Sequence, residues 1–107
     1  MKYQEIDVED APKTVQMWVK KLLESDQPAA DYKQHRGYTY VFITLGRKKT
    51  TGYRIDVEPE TMGDGHLEIT IRKVEPTPWQ FTAQVINHPS MLIRFDSIYP
   101  KIEFQYR

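Results

Sequence analysis

The hydrophobic period of this chain changes once, near residue 38, and that change limits the folds open to it. Before it, Val15, Trp18, Val19, Leu22 and Leu23 recur at i, i+3, i+4, i+7 and i+8, the stripe of one helix face. After it, apolar residues recur every second position. Tyr53, Ile55 and Val57 alternate with Arg54, Asp56 and Glu58, and Leu67, Ile69 and Ile71 alternate with Glu68, Thr70 and Arg72. Phe81-Ala83-Val85, Met91-Ile93-Phe95 and Ile102-Phe104-Tyr106 repeat the pattern. Side chains of a strand point alternately to its two faces, so each segment reads as a half-buried strand.

The punctuation between these segments sets expected boundaries. The helix is expected over about 10–25, with Asp10 as N-cap, Pro12 in the first turn and Ser25-Asp26-Gln27-Pro28 as the stop. Tyr3–Val8 reads as a short edge strand, and Gln27–Gly37 as a polar connection. Tyr38–Leu45 is aromatic and β-branched, with apolar residues on both faces in its middle, as a central strand requires. Turns are expected at Arg47–Gly52, Met62–Gly65, Pro76–Pro78, Asn87–Ser90 and Tyr99-Pro100. The predicted fold is α+β: one N-terminal helix, its Trp18 stripe in the core, packed on a mainly antiparallel β-sandwich or barrel. Five to seven short strands would fill residues 38–106, within a single domain spanning 1–107.

Charge and cysteine content narrow the function. Lys plus Arg and Asp plus Glu number 15 each, a net charge of zero. That balance argues against a dedicated nucleic-acid binder, whose affinity comes from a basic surplus, and against an anionic membrane surface as partner. The absence of cysteine removes disulfides, thiolate nucleophiles and Cys-based metal sites. Met1-Lys2-Tyr3-Gln4-Glu5 lacks the apolar run of a signal peptide, and no apolar stretch approaches transmembrane length. The expected location is cytoplasmic.

Few residues point to chemistry. His35, His66 and His88 show no His-x-His or His-x-x-x-His spacing, so no metal ligand set is expected. Ser25, Ser90 and Ser97 have no nucleophile elbow around them. Asp7, Glu9 and Asp10 flank the helix start, where negative charge is stabilised by the macrodipole. Glu58 and Glu60 are the other carboxylate pair, and neither phosphate-binding glycine pattern is present. No catalytic residue, metal or cofactor is expected, and the chain does not read as an enzyme. Arg47-Lys48-Lys49 is the basic cluster, and Gly52 reads as a left-handed or bulged position before Tyr53. Trp79, following Pro76-Thr77-Pro78, reads either as an interface anchor on a rigid bend or as cover for an open end of the sheet. Tyr38, Tyr40 and Phe42 share a face that is either core or an exposed aromatic patch.

Three blocks carry a family resemblance. Ala30-Asp31-Tyr32 precedes the first long strand. That strand runs into Leu45-Gly46-Arg47-Lys48-Lys49-Thr50-Thr51-Gly52-Tyr53-Arg54-Ile55. Pro76-Thr77-Pro78-Trp79 is followed by Thr82-Ala83-Gln84-Val85-Ile86-Asn87-His88-Pro89. In order and spacing these resemble the C-terminal domain of the protease complex subunit PrcB family. Thr51 stands where a first glycine is usual, and Trp79 near another expected glycine, so the turn after Ile71 is expected to differ in shape. The resemblance implies a non-proteolytic subunit that accompanies a protease and aids its assembly or stability, with no catalytic residues to carry over. Full-length members are often exported lipoproteins. Thr50-Thr51-Gly52-Tyr53 also resembles a loop of the chagasin-type cysteine protease inhibitors, which are immunoglobulin-like β-sandwiches. Gly63-Asp64-Gly65 and Thr77-Pro78-Trp79 follow in that family's order, without its arginine.

The expectation is therefore a non-catalytic protein-binding module that presents Arg47, Lys48, Lys49, Thr50, Thr51, Gly52 and Trp79 to another protein, a protease among the candidates. The alternative is a protease inhibitor that inserts its hairpin loops into an active-site cleft. Pairing of two copies through an edge strand is also expected to be open, because Pro59, Pro76 and Pro89 guard only part of the strand edges.

Overall fold

Alternation along Tyr38–Thr44 puts large apolar side chains on both faces of one strand, and the architecture follows from covering both. A computed structural model describes residues 1–107. In chain order the elements are β1 (Tyr3–Ile6), a 3-10 turn (Val8–Asp10), α1 (Lys13–Leu23), β2 (Ala29–His35), β3 (Tyr38–Thr44), β4 (Arg54–Thr61), β5 (Leu67–Val74), β6 (Ser90–Phe95) and β7 (Ile102–Tyr106). One sheet has the order β1-β6-β3-β2, and the other has the order β4-β5-β7.

Val41, Ile43 and Leu45 point from β3 and its end into the space between the sheets. There they meet Ile93 and Phe95 from β6 and Ile55, Leu67, Ile69, Ile71 and Ile102 from the other sheet. Tyr40 and Phe42 point the other way and, with Leu92, pack under Ala11, Val15 and Val19 of the helical segment. The fold is thus three layers deep: helix, four strands, three strands. Burying each large apolar side chain contributes about 1.5–3 kcal/mol. The Trp18 ring stands edge-on to Phe42, with centroids 6.5 Å apart, and its Nε1–H donates to Asp31 Oδ2 at 3.3 Å. The Tyr38–Tyr40–Phe42 face is therefore core beneath the helix.

Several expected boundaries move, each for a local reason. The helix starts at Lys13, because Ala11 precedes proline and is held extended at ψ 158°. Asp10 accordingly closes the separate 3-10 turn, and Pro12 is the N-cap, without a side-chain cap. The expected polar connection at 27–37 contains β2, paired along its whole length with β3. Arg36 and Gly37, at φ 50° and 84°, make the two-residue turn between them. Phe81–Ile86 is not a strand, although it alternates. β7 runs parallel to β5, with Leu67 opposite Ile102, so the second sheet is mixed. Pro59 sits within β4, which is tolerated because β4 is an edge strand. No helix is long and apolar enough to cross a membrane.

Candidate protein-binding surface

β3 and β4 belong to different sheets, so Arg47–Gly52 is not the hairpin tip that the sequence implies but a crossover from one sheet to the other. Its entry is fixed at Gly46, which is buried, at φ 79°, and donates its N–H to Thr44 Oγ1 at 3.1 Å. Arg47 N–H donates to the Asp26 carbonyl at 3.0 Å.

From there the crossover runs beside residues 76–87 and is pinned to them. Lys48 N–H donates to Asn87 O at 2.8 Å, and Asn87 N–H returns a bond to Lys48 O at 3.0 Å. The Asn87 amide Nδ2 donates to Thr50 O at 2.9 Å. Thr51 N–H donates to Ala83 O at 3.0 Å, and Ala83 N–H donates to Thr51 Oγ1 at 2.9 Å. Gly52 completes the junction at φ 99°, so close to its neighbours that a Cβ there would lie 2.9 Å from Pro76 Cβ and 3.0 Å from Thr82 Cγ2. Glycine is required twice over at this position, for conformation and for space.

Backbone pairing at Ala83 and Asn87 anchors this segment to the crossover and leaves its apolar side chains outside. Trp79 is 86% exposed and Phe81 97%, with Val85 and Ile86 also exposed. Trp79 therefore does not cover an open end of the sheet. Arg47 and Lys49 are exposed in the crossover, and the Lys48 ammonium lies 5.2 Å from the centre of the Tyr53 ring. The surface combines exposed aromatic and aliphatic groups with three cations at one end of β4.

Comparison with known families falls on this same stretch of chain. The pattern of the PrcB C-terminal family matches residues 39–96. This chain belongs to the PrcB C-terminal family. No curated protein and no solved structure matches it. The matched PrcB C-terminal region includes β3, β4, β5 and β6 and both segments of the exposed surface, whereas α1, β1, β2 and β7 lie outside it. Ala30-Asp31-Tyr32, one of the blocks that carried the resemblance, also lies outside it and forms part of β2.

The structure pairs the Arg47–Gly52 crossover with the segment that carries the exposed Trp79, but Gly63-Asp64-Gly65 has no part in that pairing. The Met62–Gly65 turn joins β4 to β5 as expected, with Gly65 N–H donating to Met62 O at 2.9 Å. It lies at the far end of β4 from Gly52, with the eight residues of that strand, about 25 Å at the usual strand rise, between them. An inhibitor edge built from all three loops does not form.

Two features escaped the sequence. Phe81, Val85 and Ile86 belong to the exposed surface, and the prolines at 76 and 78 were the available sign that alternation there would not become a strand. The second is a group at the Met62–Gly65 end. His66, Glu68 and Glu103 place one nitrogen and two carboxylate oxygens within 4.8 Å of one another, so these side chains could hold a metal ion. Asp64 accepts from the His66 backbone N–H at 3.1 Å and from His66 Nδ1. These bonds, the backbone one foremost, hold its carboxyl below the usual 3.8. Glu103 is likewise lowered, chiefly by its hydrogen bond with Lys101. His66 and His88 are both half-buried and acid-paired: His88 ties Asp26 through Nε2 at 2.6 Å beside the crossover. Asp7 and Asp10 line a groove of about 860 Å³ with Tyr38, Tyr40 and Arg94, away from the exposed surface.

Proposed function

We propose that this chain is a non-catalytic protein-binding module whose contact surface is the paired segments Arg47–Gly52 and Pro76–Asn87. The observation that carries the reading is the exposure of Trp79 and Phe81 on a backbone frame tied to a cationic crossover. Large aromatics presented on an ordered turn lose little freedom on docking and bury much area, which is how interface hot spots arise. Arg47, Lys48 and Lys49 select a partner segment that is acidic beside an apolar pocket. Membership of the PrcB C-terminal family supports a protease complex as the setting, with this chain aiding assembly or stability of the partner.

Reconstitution from purified components tests the reading. A partner recovered from the native host is recombined with the full chain and with two variants. Trp79→Ala with Phe81→Ala should weaken binding at least about a hundredfold. Lys48→Glu with Lys49→Glu should weaken it mainly through the association rate, and more at low salt than at high. All four side chains lie outside the cores, so both variants should keep wild-type stability within about 0.5 kcal/mol. Wild-type affinity in both variants would overturn the proposal. Self-association through β1, β2, β4 or β7, the strands at the sheet edges, is read separately by sedimentation velocity of the chain alone.

A further inference from the structure

The Met62–Gly65 end of the molecule carries a second arrangement, independent of the surface just described. His66 stands at the start of β5 and Glu68 two residues on, so their side chains leave the same face of the sheet. Glu103 is the direct partner of Glu68 across the parallel β5–β7 ladder. Register alone therefore converges one imidazole and two carboxylates from the two ends of a long stretch of sequence, His66 and Glu68 on one side and Glu103 on the other.

The free and engaged atoms of these groups are sorted. His66 Nδ1 lies against Asp64 Oδ1; in the tautomer that donates Nδ1–H to that carboxylate, Nε2 carries the lone pair a metal would take. His66 Nε2 is fully buried and has no hydrogen-bond partner. It faces Glu68 Oε2 at 3.9 Å and Glu103 Oε2 at 3.8 Å. The opposite oxygen of each carboxylate is already occupied: Gln105 Nε2 donates to Glu68 Oε1, and the Lys101 ammonium pairs with Glu103 Oε1 at 3.0 Å. Both carboxylates thus turn their remaining oxygen toward the one unpartnered nitrogen.

We infer that His66 Nε2, Glu68 and Glu103 form a binding site for a divalent transition-metal ion of the zinc class, with Asp64 orienting the imidazole. Bonds of about 2.0–2.2 Å to one ion require donor atoms roughly 3.0–3.5 Å apart; the nitrogen-to-oxygen distances here are 3.8 and 3.9 Å, and all three donors lie within 4.8 Å of one another, so the site must contract to take the ion. Glu68 and Glu103 are only partly buried and can close that gap by side-chain rotation. An imidazole ligand favours zinc over calcium or magnesium, which take oxygen donors. The remaining positions would be filled by water. Such an ion would clip β7, an edge strand held by one ladder, to the start of β5.

Calorimetric titration of zinc chloride into chelator-stripped full-length chain tests the site. One ion should bind per chain, and His66→Ala and Glu103→Gln should each weaken binding at least about tenfold, as should Asp64→Asn through loss of ring orientation. His88→Ala, which alters the other acid-paired histidine, should bind zinc like the wild type. At the same zinc concentration the thermal midpoint of the wild type should rise more than that of Glu103→Gln. Glu103→Gln preserves the shape of the side chain, so the test stands even where His66→Ala fails to fold. No saturable binding, or binding indifferent to Glu103→Gln, would overturn the assignment.

Discussion

Replacing Gly52 by alanine tests whether residues 76–87 are seated on the crossover as described. Two separable effects act there. At φ 99° an L side chain is strained by about 1–2 kcal/mol. The new Cβ would also sit 2.9 Å from Pro76 Cβ and 3.0 Å from Thr82 Cγ2, and overlap of that kind costs roughly 1–3 kcal/mol more. Two other glycines supply the controls. Gly65 has φ 87° with nothing within 4 Å, so Gly65→Ala carries the conformational strain alone. Gly63 has open space and no positive φ, so Gly63→Ala should change stability by less than about 0.5 kcal/mol. The expected order of destabilisation is Gly52, about 2–5 kcal/mol, then Gly65, about 1–2, then Gly63. With a urea m-value of about 2 kcal/mol/M, the Gly52 variant should unfold about 1–2.5 M earlier than wild type. The overlap can instead be relieved by lifting residues 76–87 from the crossover. Amide exchange separates the two outcomes, because lifting would deprotect the Thr51 and Ala83 amides, which are bonded across the junction. If Gly52→Ala costs no more than Gly65→Ala and leaves both amides protected, the packing argument at this junction is wrong.

Two further outcomes follow from the fold and its electrostatics. Phe42→Ala removes a ring that is 1% exposed between α1 and β3 and should cost about 3–5 kcal/mol by chemical denaturation; a cost below 1 kcal/mol would mean that the helix does not rest on that face. Asp64 and Glu103 both titrate below their ordinary values of 3.8 and 4.5. Their small contribution to stability is therefore present above those values and is lost as pH falls through the lowered ones. Carboxyl resonances followed by NMR on the metal-free chain should show both midpoints displaced downward, with Lys101→Met returning Glu103 toward 4.5, since Lys101 is the main cause of its shift.

Where side chains alone decide an element, the sequence was legible. Leu67, Ile69 and Ile71 alternate with polar partners and form β5, and the apolar middle of Tyr38–Leu45 anticipated a strand covered on both faces. The helix was legible from its stripe; it ends two residues earlier than expected, at Leu23, and its start moved through the constraint that Pro12 places on Ala11. Pairing was not legible. Residues 29–35 look polar because β2 is an edge strand whose side chains are mostly half-exposed, and they are held by a backbone ladder that composition does not reveal. Phe81–Ile86 has the period of a strand but makes no ladder: it is held only by the Thr51–Ala83 bonds and the adjoining Lys48–Asn87 bridge, and its apolar groups stay outside. The parallel placement of β7 is a long-range choice with no local mark, and the His66–Glu68–Glu103 group depends on it. The basic and aromatic residues of the candidate surface were visible individually. Their union required the pairing of residues 47–52 with 76–87.

Deuterium uptake measured on the partner-bound and free chain addresses the proposed contact surface most directly. The account predicts slowed exchange confined to residues 47–52 and 76–87, with α1 and β7 unchanged. Protection centred on α1 or on an edge strand, with the two segments exchanging as in the free chain, would contradict it.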